Sequence, residues 1–315
     1  MGSSLSNFYR FANRSKACIA RSLCHSWVEW VRLCICRFET ALQTHCPGCC
    51  LPYIDTRLDC ELPVPGATAL FTGNFLGDPW GRVRSGIAPN WRPEPADCDL
   101  YGNNALMRFV DGGSCFRGLL YTHTMVRNLR GLRSFDQYVR PYDLSTAERE
   151  HAGTHLFVDG HMASLSCAPN DPCFWLHHCC VDCLGEMVKD RVGRTAWTQY
   201  PNSWWVPARH RRRDPMLPFN NYVNEDALFD ERIDKEYTYE ISPADDPCQT
   251  DAECSPVGLL WCDNRQCKAK ARQGGSCNVG QHAMCYCDSG TPLCTGTCQC
   301  QWWLIVSDVI IIYDQ

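Results

Sequence analysis

The sequence has little charge of either sign, no long apolar run and few histidines near its start. Charged residues are 21% of 315 and the formal net charge is −5, so the balance gives no reason to expect nucleic acid. The one basic run, Arg209 to Arg213, reads as a solvated loop. No stretch reaches the ~18 apolar residues of a helical membrane span. The tail from Trp302 to Tyr313 is apolar but shorter, and it carries Asp308. It reads as an edge strand, a docking segment or a remnant. A secretory leader is missing too, since no basic start is followed by an apolar run and a small-residue cleavage site. No histidine precedes His25.

Cysteine, by contrast, is abundant. There are 25, ten of them from Cys248 to Cys300, where aliphatic residues are sparse and His282 is the one histidine. Such a segment cannot build a core, so crosslinks must hold it, and they require an oxidising compartment. The odd total leaves at least one thiol free or bonded to another chain. Met1 to Ser6 fits a myristoylation pattern, which a disulfide module contradicts. The expectation is therefore a secreted protein whose N-terminus is incomplete or wrongly assigned. Hydrophobic residues at 45% indicate a globular chain. The expected organisation is an atypical segment over 1–26, a main domain over 27–245, a Cys-rich module over 246–300 and the tail over 301–315.

Helical periodicity runs from Trp27 to Leu42, with Trp27, Trp30, Val31, Cys34, Phe38, Ala41 and Leu42 on one face, and stops at His45-Cys46-Pro47-Gly48. Ser145 and Glu148 form a capping box for a second helix running through His155. His151 and His155 then leave the same face, where one ion can accept a nitrogen from each. A third helix starts at Asn170 or Asp171, with Pro172 in its first turn, and continues toward Gly193. His178 lies on it, with Phe174 and Asp182 four residues to either side. Asp182 is expected to hydrogen-bond a ligand histidine and fix its tautomer. Three imidazoles without a thiolate suit copper, zinc, iron or nickel. Between the first two helices, residues 56–130 are a Gly- and Pro-rich loop region that Cys60, Cys98 and Cys115 can staple, and His123 there reads as structural.

The run Asp171-Pro172-Cys173-Phe174-Trp175-Leu176-His177-His178-Cys179-Cys180-Val181-Asp182, with His151 and His155 before it, resembles the second copper signature of the tyrosinase, catechol oxidase and haemocyanin family. The resemblance implies that His151, His155 and His178 hold one copper, that His177 and His161 do not, and that Phe174 lies against the metal site. It further implies a mainly α fold, a four-helix-bundle copper domain with long irregular loops, here followed by the small disulfide-rich module. The implied activity is oxidation of o-diphenols to quinones with dioxygen, with or without a preceding hydroxylation of a monophenol. A phenolic small molecule and dioxygen are the implied partners, and the Cys-rich module is a candidate surface for protein or matrix.

The first copper site departs from the family. Arg37 to Leu42 and Leu51 to Asp55 resemble the segment that follows it, which sets Trp30-Val31-Arg32 over Trp-His-Arg. Val31 thus stands at the last ligand, Ser22 at the middle one, and the spacing of His25 fits neither. Ala152, Cys180 and Gly185 replace an asparagine, an aromatic and a tryptophan, the last two at an expected loss of packing. Two readings follow: an oxidase whose first half is lost from this sequence, or a secreted copper-binding or matrix protein without catalysis. A zinc protein using the same three histidines is a third, and no catalytic residue is assigned.

Overall fold

A computed structural model describes residues 27–94, 96–111, 120–139, 147–202, 204, 206, 210–216, 219, 221–229, 238–255, 257–306 and 309–313. The chain divides into two compact units. The first takes residues 1–54, 92–106 and 121–240, and the second takes 55–91, 107–120 and 241–315. The Cys-rich segment therefore shares its unit with two earlier stretches of chain.

The first unit is helical. It contains α1 (Trp27–Gln43) and, after α2 (Thr56–Cys60) of the second unit, α3 (His123–Arg130), α4 (Phe135–Val139), α5 (Ala147–Val158), α6 (Pro172–Val192) and α7 (Asp226–Phe229). The mainly α expectation for this part holds. The 21-residue α6 is the axis, and α1, α3, α4 and α5 all pack on it. Its ends follow local chemistry. Asp171 caps the start by accepting from the Cys173 amide at 2.9 Å, and Gly193 ends it at φ +65°, a backbone state that glycine adopts without a Cβ clash. Ser145, the expected cap of α5, lies outside the described residues.

Helix α1 is buried more completely than one apolar stripe predicts. Glu29, Arg32, Leu33, Ile35 and Cys36 are buried along with Trp30, Val31 and Cys34, whereas Ala41 is exposed. Arg32 is tolerated there because charges meet: it pairs with Glu186 and lies 3.8 Å from Asp182, both on α6. Further along, Phe38 stacks on Trp175 with centroids 4.1 Å apart, locking the two helices. Cys173, Cys179, Cys180 and Cys183 are buried thiols in α6, joined by Cys34 and Cys36 in α1. Here they serve as small hydrophobic side chains.

Gly185 does not leave the void expected from the loss of a tryptophan. Tyr138 of α4 fills that place: a Cβ on Gly185 would lie 3.1 Å from its ring, and its hydroxyl donates to the Val181 carbonyl at 2.7 Å. The long 92–106 segment is tied down by the Cys98–Cys167 disulfide, the His161 Nε2 bond to the Cys98 carbonyl (3.0 Å) and an Asn170–Glu94 pair of bonds (2.9 and 3.1 Å).

The second unit is held by crosslinks. All ten cysteines from Cys248 to Cys300 pair, as 248–262, 254–267, 277–294, 285–298 and 287–300. They clamp α8 (Asp251–Cys254) and short antiparallel pairs. These are β3 (Leu260–Asp263) with β4 (Gln266–Ala269), and a sheet ordered β5 (Thr291–Cys294), β6 (Cys298–Val306), β7 (Val309–Tyr313); a further antiparallel pair without these cysteines, β1 (Trp80–Arg82) with β2 (Met107–Phe109), belongs to the same unit. The apolar tail thus forms most of β6 and the outer strand β7. Cys60 is also disulfide-bonded. Within this unit Arg57 is clamped between Asp55 (Nε–Oδ1 2.9 Å) and Asp245 (Nη1–Oδ1 2.9 Å). Asp59, buried beside them, is pushed up to about 7, by burial first and by the charge of Asp55, against a hydrogen bond from Thr68.

Because the folded-state pKa of Asp59 is raised, its stabilisation is complete below an unfolded value near 4 and is lost as pH rises through about 7. Asp59→Asn is expected to melt several degrees higher than the parent at pH 8 and no higher at pH 4, measured by thermal denaturation. In the helical unit, Tyr138→Ala removes a fully buried ring and should cost about 3–5 kcal/mol in denaturant unfolding, against about 1 kcal/mol for Tyr138→Phe.

Candidate metal centre

The candidate site is built on two consecutive helices. His151 and His155 sit one turn apart on α5, and His178 sits nearly two turns into α6. Their ring centroids form a near-equilateral triangle, 4.9 Å for His151–His155 and 5.1 Å for each to His178. One nitrogen from each lies within 4.8 Å of the other two. The two helices approach this closely because the chain reverses between them. Asp159 and Gly160 take φ of +54° and +60°, and the amide of Gly160 donates to Oδ1 of Asp159 at 2.7 Å.

Backbone carbonyls decide which nitrogen faces inward. Nδ1 of His151 donates to the Glu148 carbonyl at 2.9 Å, Nδ1 of His155 to Met162 at 2.8 Å, and Nδ1 of His178 to Phe174 at 2.7 Å. A carbonyl can only accept, so each proton resides on Nδ1 and each Nε2 keeps its lone pair. Nε2 of His155 is buried and has no hydrogen-bond partner among the described residues. Such a buried acceptor is costly unless something fills it, and a metal ion suits three converging lone pairs. Burial also keeps the rings neutral. It lowers His151 to about 3, with the neighbouring His155 adding to the effect, and His155 to about 4. His177 and His178 are pushed well below the ordinary value by burial and by the surrounding imidazoles. Neutral imidazole is the form that ligates.

The ring of Phe174 lies 3.9 Å from that of His178 and 6.0 Å from that of His155. Asp182 does not act on a histidine tautomer as expected. Its Oδ2 accepts from the Tyr239 hydroxyl at 2.6 Å and its Oδ1 faces Arg32, while Nδ1 of His178 points back along its own helix to Phe174. A backbone carbonyl one turn earlier was already in place, so no carboxylate was needed.

His177 has a part that the sequence reading did not assign. Its ring stacks on that of His151, centroids 5.5 Å apart and 3° from parallel, and its Nε2 donates to the His151 carbonyl at 3.0 Å. It therefore braces α5 against α6 at the ligand-bearing turn. The adjacent-histidine pair was the available signal, but only the packing shows which neighbour the first one holds. Glu150, next to His151, is pushed up to about 7 by burial, and its Oε2 has no partner among the described residues. His161 is turned away to Cys98, and His123 opens α3 outside this group. Two cysteine triplets also have close sulfurs, Cys248–Cys254–Cys267 and Cys277–Cys285–Cys298, but every member is in a disulfide, which leaves no thiolate for a metal.

Comparison with known proteins agrees with this geometry. The common central domain of tyrosinase matches residues 7–189. A putative tyrosinase-like protein of Caenorhabditis elegans is 29% identical over 290 residues, covering 84% of this chain and 40% of that protein. Tyrosinase-like protein 1 of Margaritifera margaritifera is 30% identical over 218 residues (65% of this chain, 42% of that protein), and a tyrosinase of Streptomyces glaucescens is 29% identical over 227 (64% and 75%). The chain thus spans about two fifths of the length of the two animal relatives. The domain match extends over more than half of the sequence and takes in both helices that carry the imidazoles, and on that ground the chain belongs to the tyrosinase family.

Proposed function

We propose that the chain is a tyrosinase-like domain that holds one copper ion through Nε2 of His151, His155 and His178, and that its phenol oxidation is impaired. The observation that carries this reading is Val31. It is buried on α1, at the position where the family has the last ligand of the first copper, and a hydrocarbon side chain has no lone pair to offer. Copper, when bound, would supply the redox couple through which family members oxidise o-diphenols to quinones with dioxygen. The chain's own residues perform the preparatory work. Three carbonyls hold protons on Nδ1, burial keeps the rings uncharged, Phe174 limits the tilt of His178, and His177 fixes the backbone of His151. An intact family member adds a second three-imidazole set, and the electrons for dioxygen then come from two ions. Here Val31 and Ser22 occupy two of the three positions of that set.

The second reading is a secreted copper-binding or matrix protein without catalysis. Five disulfides within the Cys-rich segment support an oxidising compartment, and Ala152 next to His151 offers no polar group to steer a phenol proton. In either case the natural small-molecule partners are a phenol and dioxygen only if turnover exists.

Metal analysis with a catechol assay separates these readings. One copper per chain, with quinone formation far below that of a two-copper relative, is expected; two coppers with turnover would sink the impaired reading, and zinc at full occupancy would replace copper. His178→Ala should abolish metal retention on dialysis. His177→Phe keeps all three ligands and should weaken affinity by about 10–100-fold, the usual effect of losing a group that orients a ligand.

A further inference from the structure

The second unit contains a cavity of about 260 Å³ that is separate from the imidazoles. It is lined by the apolar side chains of Val64, Ala67, Pro79, Trp80 and Val110 and by residues of the turn from Arg272 to Ser276. Arg272 is the only charged residue lining it among the described residues.

That turn is rigidly placed. The Arg272 carbonyl accepts from the Gly275 amide at 2.9 Å, with Gly274 at φ +78°, the glycine-requiring third position of a β-turn. The Arg272 amide donates to the Ala67 carbonyl at 2.7 Å, and a Cβ on Gly275 would lie 2.8 Å from that of Ala67. The main chain therefore fixes where the arginine stem begins, without help from its side chain. The guanidinium is half-buried and its Nε is shielded from solvent with no hydrogen-bond partner among the described residues.

The other buried arginines of this unit are satisfied. Arg57 has two carboxylates, and Arg108 donates to the Leu76 carbonyl at 2.6 Å and lies over the Phe71 ring. Among the described residues Arg272 has neither a carboxylate nor a ring as partner, and burial lowers its pKa. A half-buried, forked cation in a pocket lined by apolar side chains is the arrangement that recognises a carboxylate joined to a ring with an apolar face. Trp80, 69% exposed at the rim, supplies an aromatic surface for such a ring.

We propose that this cavity binds a small ring-bearing carboxylic acid, with the carboxylate on the Arg272 guanidinium and the ring against Trp80 and the other apolar side chains. Aromatic acids carry the carboxylate on a flat apolar ring and uronic acid sugars carry it on a ring whose C–H face can lie against an aromatic surface, and the test distinguishes them. Calorimetric titration of the full chain with benzoate and with glucuronate should give binding of at least one. Arg272→Gln, which leaves the main-chain turn bonds intact, should weaken it tenfold or more, with Arg272→Lys intermediate and Trp80→Ala weaker than the parent. Equal melting temperatures of Arg272→Gln and the parent check that the fold is retained. His178→Ala should bind the acid as the parent does. Failure of both acids to bind, unchanged binding in Arg272→Gln, loss in His178→Ala, or equally tight binding of inorganic phosphate would each overturn the proposal.

Discussion

Three hydrogen bonds from histidine Nδ1 to main-chain carbonyls set the character of the helical unit. Without them each imidazole would be free to turn or to exchange its tautomer, and the three lone pairs would not converge. The acceptors come from three different places: the turn of α5 before His151, the loop after α5, and the turn of α6 before His178. Helix capping at Asp171, the reversal at Asp159–Gly160 and the brace from His177 all act to hold those carbonyls where the rings need them. The depressed pKa values of the rings come from the same close packing, which excludes the water that would stabilise imidazolium.

The helices around this cluster adapt to an altered sequence. Where a tryptophan is expected, Gly185 accepts the ring of Tyr138, so a lost side chain on one helix is compensated by a neighbour on another. Val31 is different. It packs well, at 5% exposure, but packing does not replace a lone pair. Stability and ligation thus separate at this position, and α1 remains a sound structural helix whether or not a first metal site exists. The Arg32 pairing with Asp182 and Glu186 is part of the same outcome, because it lets charged side chains stay inside the helical core.

The two units solve the problem of holding a chain together differently. The helical unit buries several thiols as small apolar groups, and burial pushes the Cys179 thiol well up and so suppresses its reactivity. The Cys-rich segment has too little apolar surface and joins its ten cysteines in five crosslinks. That the same chain uses cysteine in both ways explains why the total of 25 alone did not reveal which thiols pair.

The local parts of this protein were determined by the sequence alone. The span of α1, the Asp171–Pro172 start of α6, the same-face placement of His151 and His155, and the crosslinked nature of the C-terminal segment follow from spacing, capping and composition over a few residues. Only the tertiary structure decided what lies across a loop. It showed the Met162 carbonyl returning to accept the hydrogen bond from His155 Nδ1, His177 stacking on His151, Asp182 turning to Tyr239, Tyr138 filling the space at Gly185 and Arg272 lining a pocket with apolar side chains. The physical reason is range. Helix caps and i, i+4 faces are set by neighbours along the chain, whereas hydrogen-bond acceptors and packing partners depend on which distant segments fold against each other.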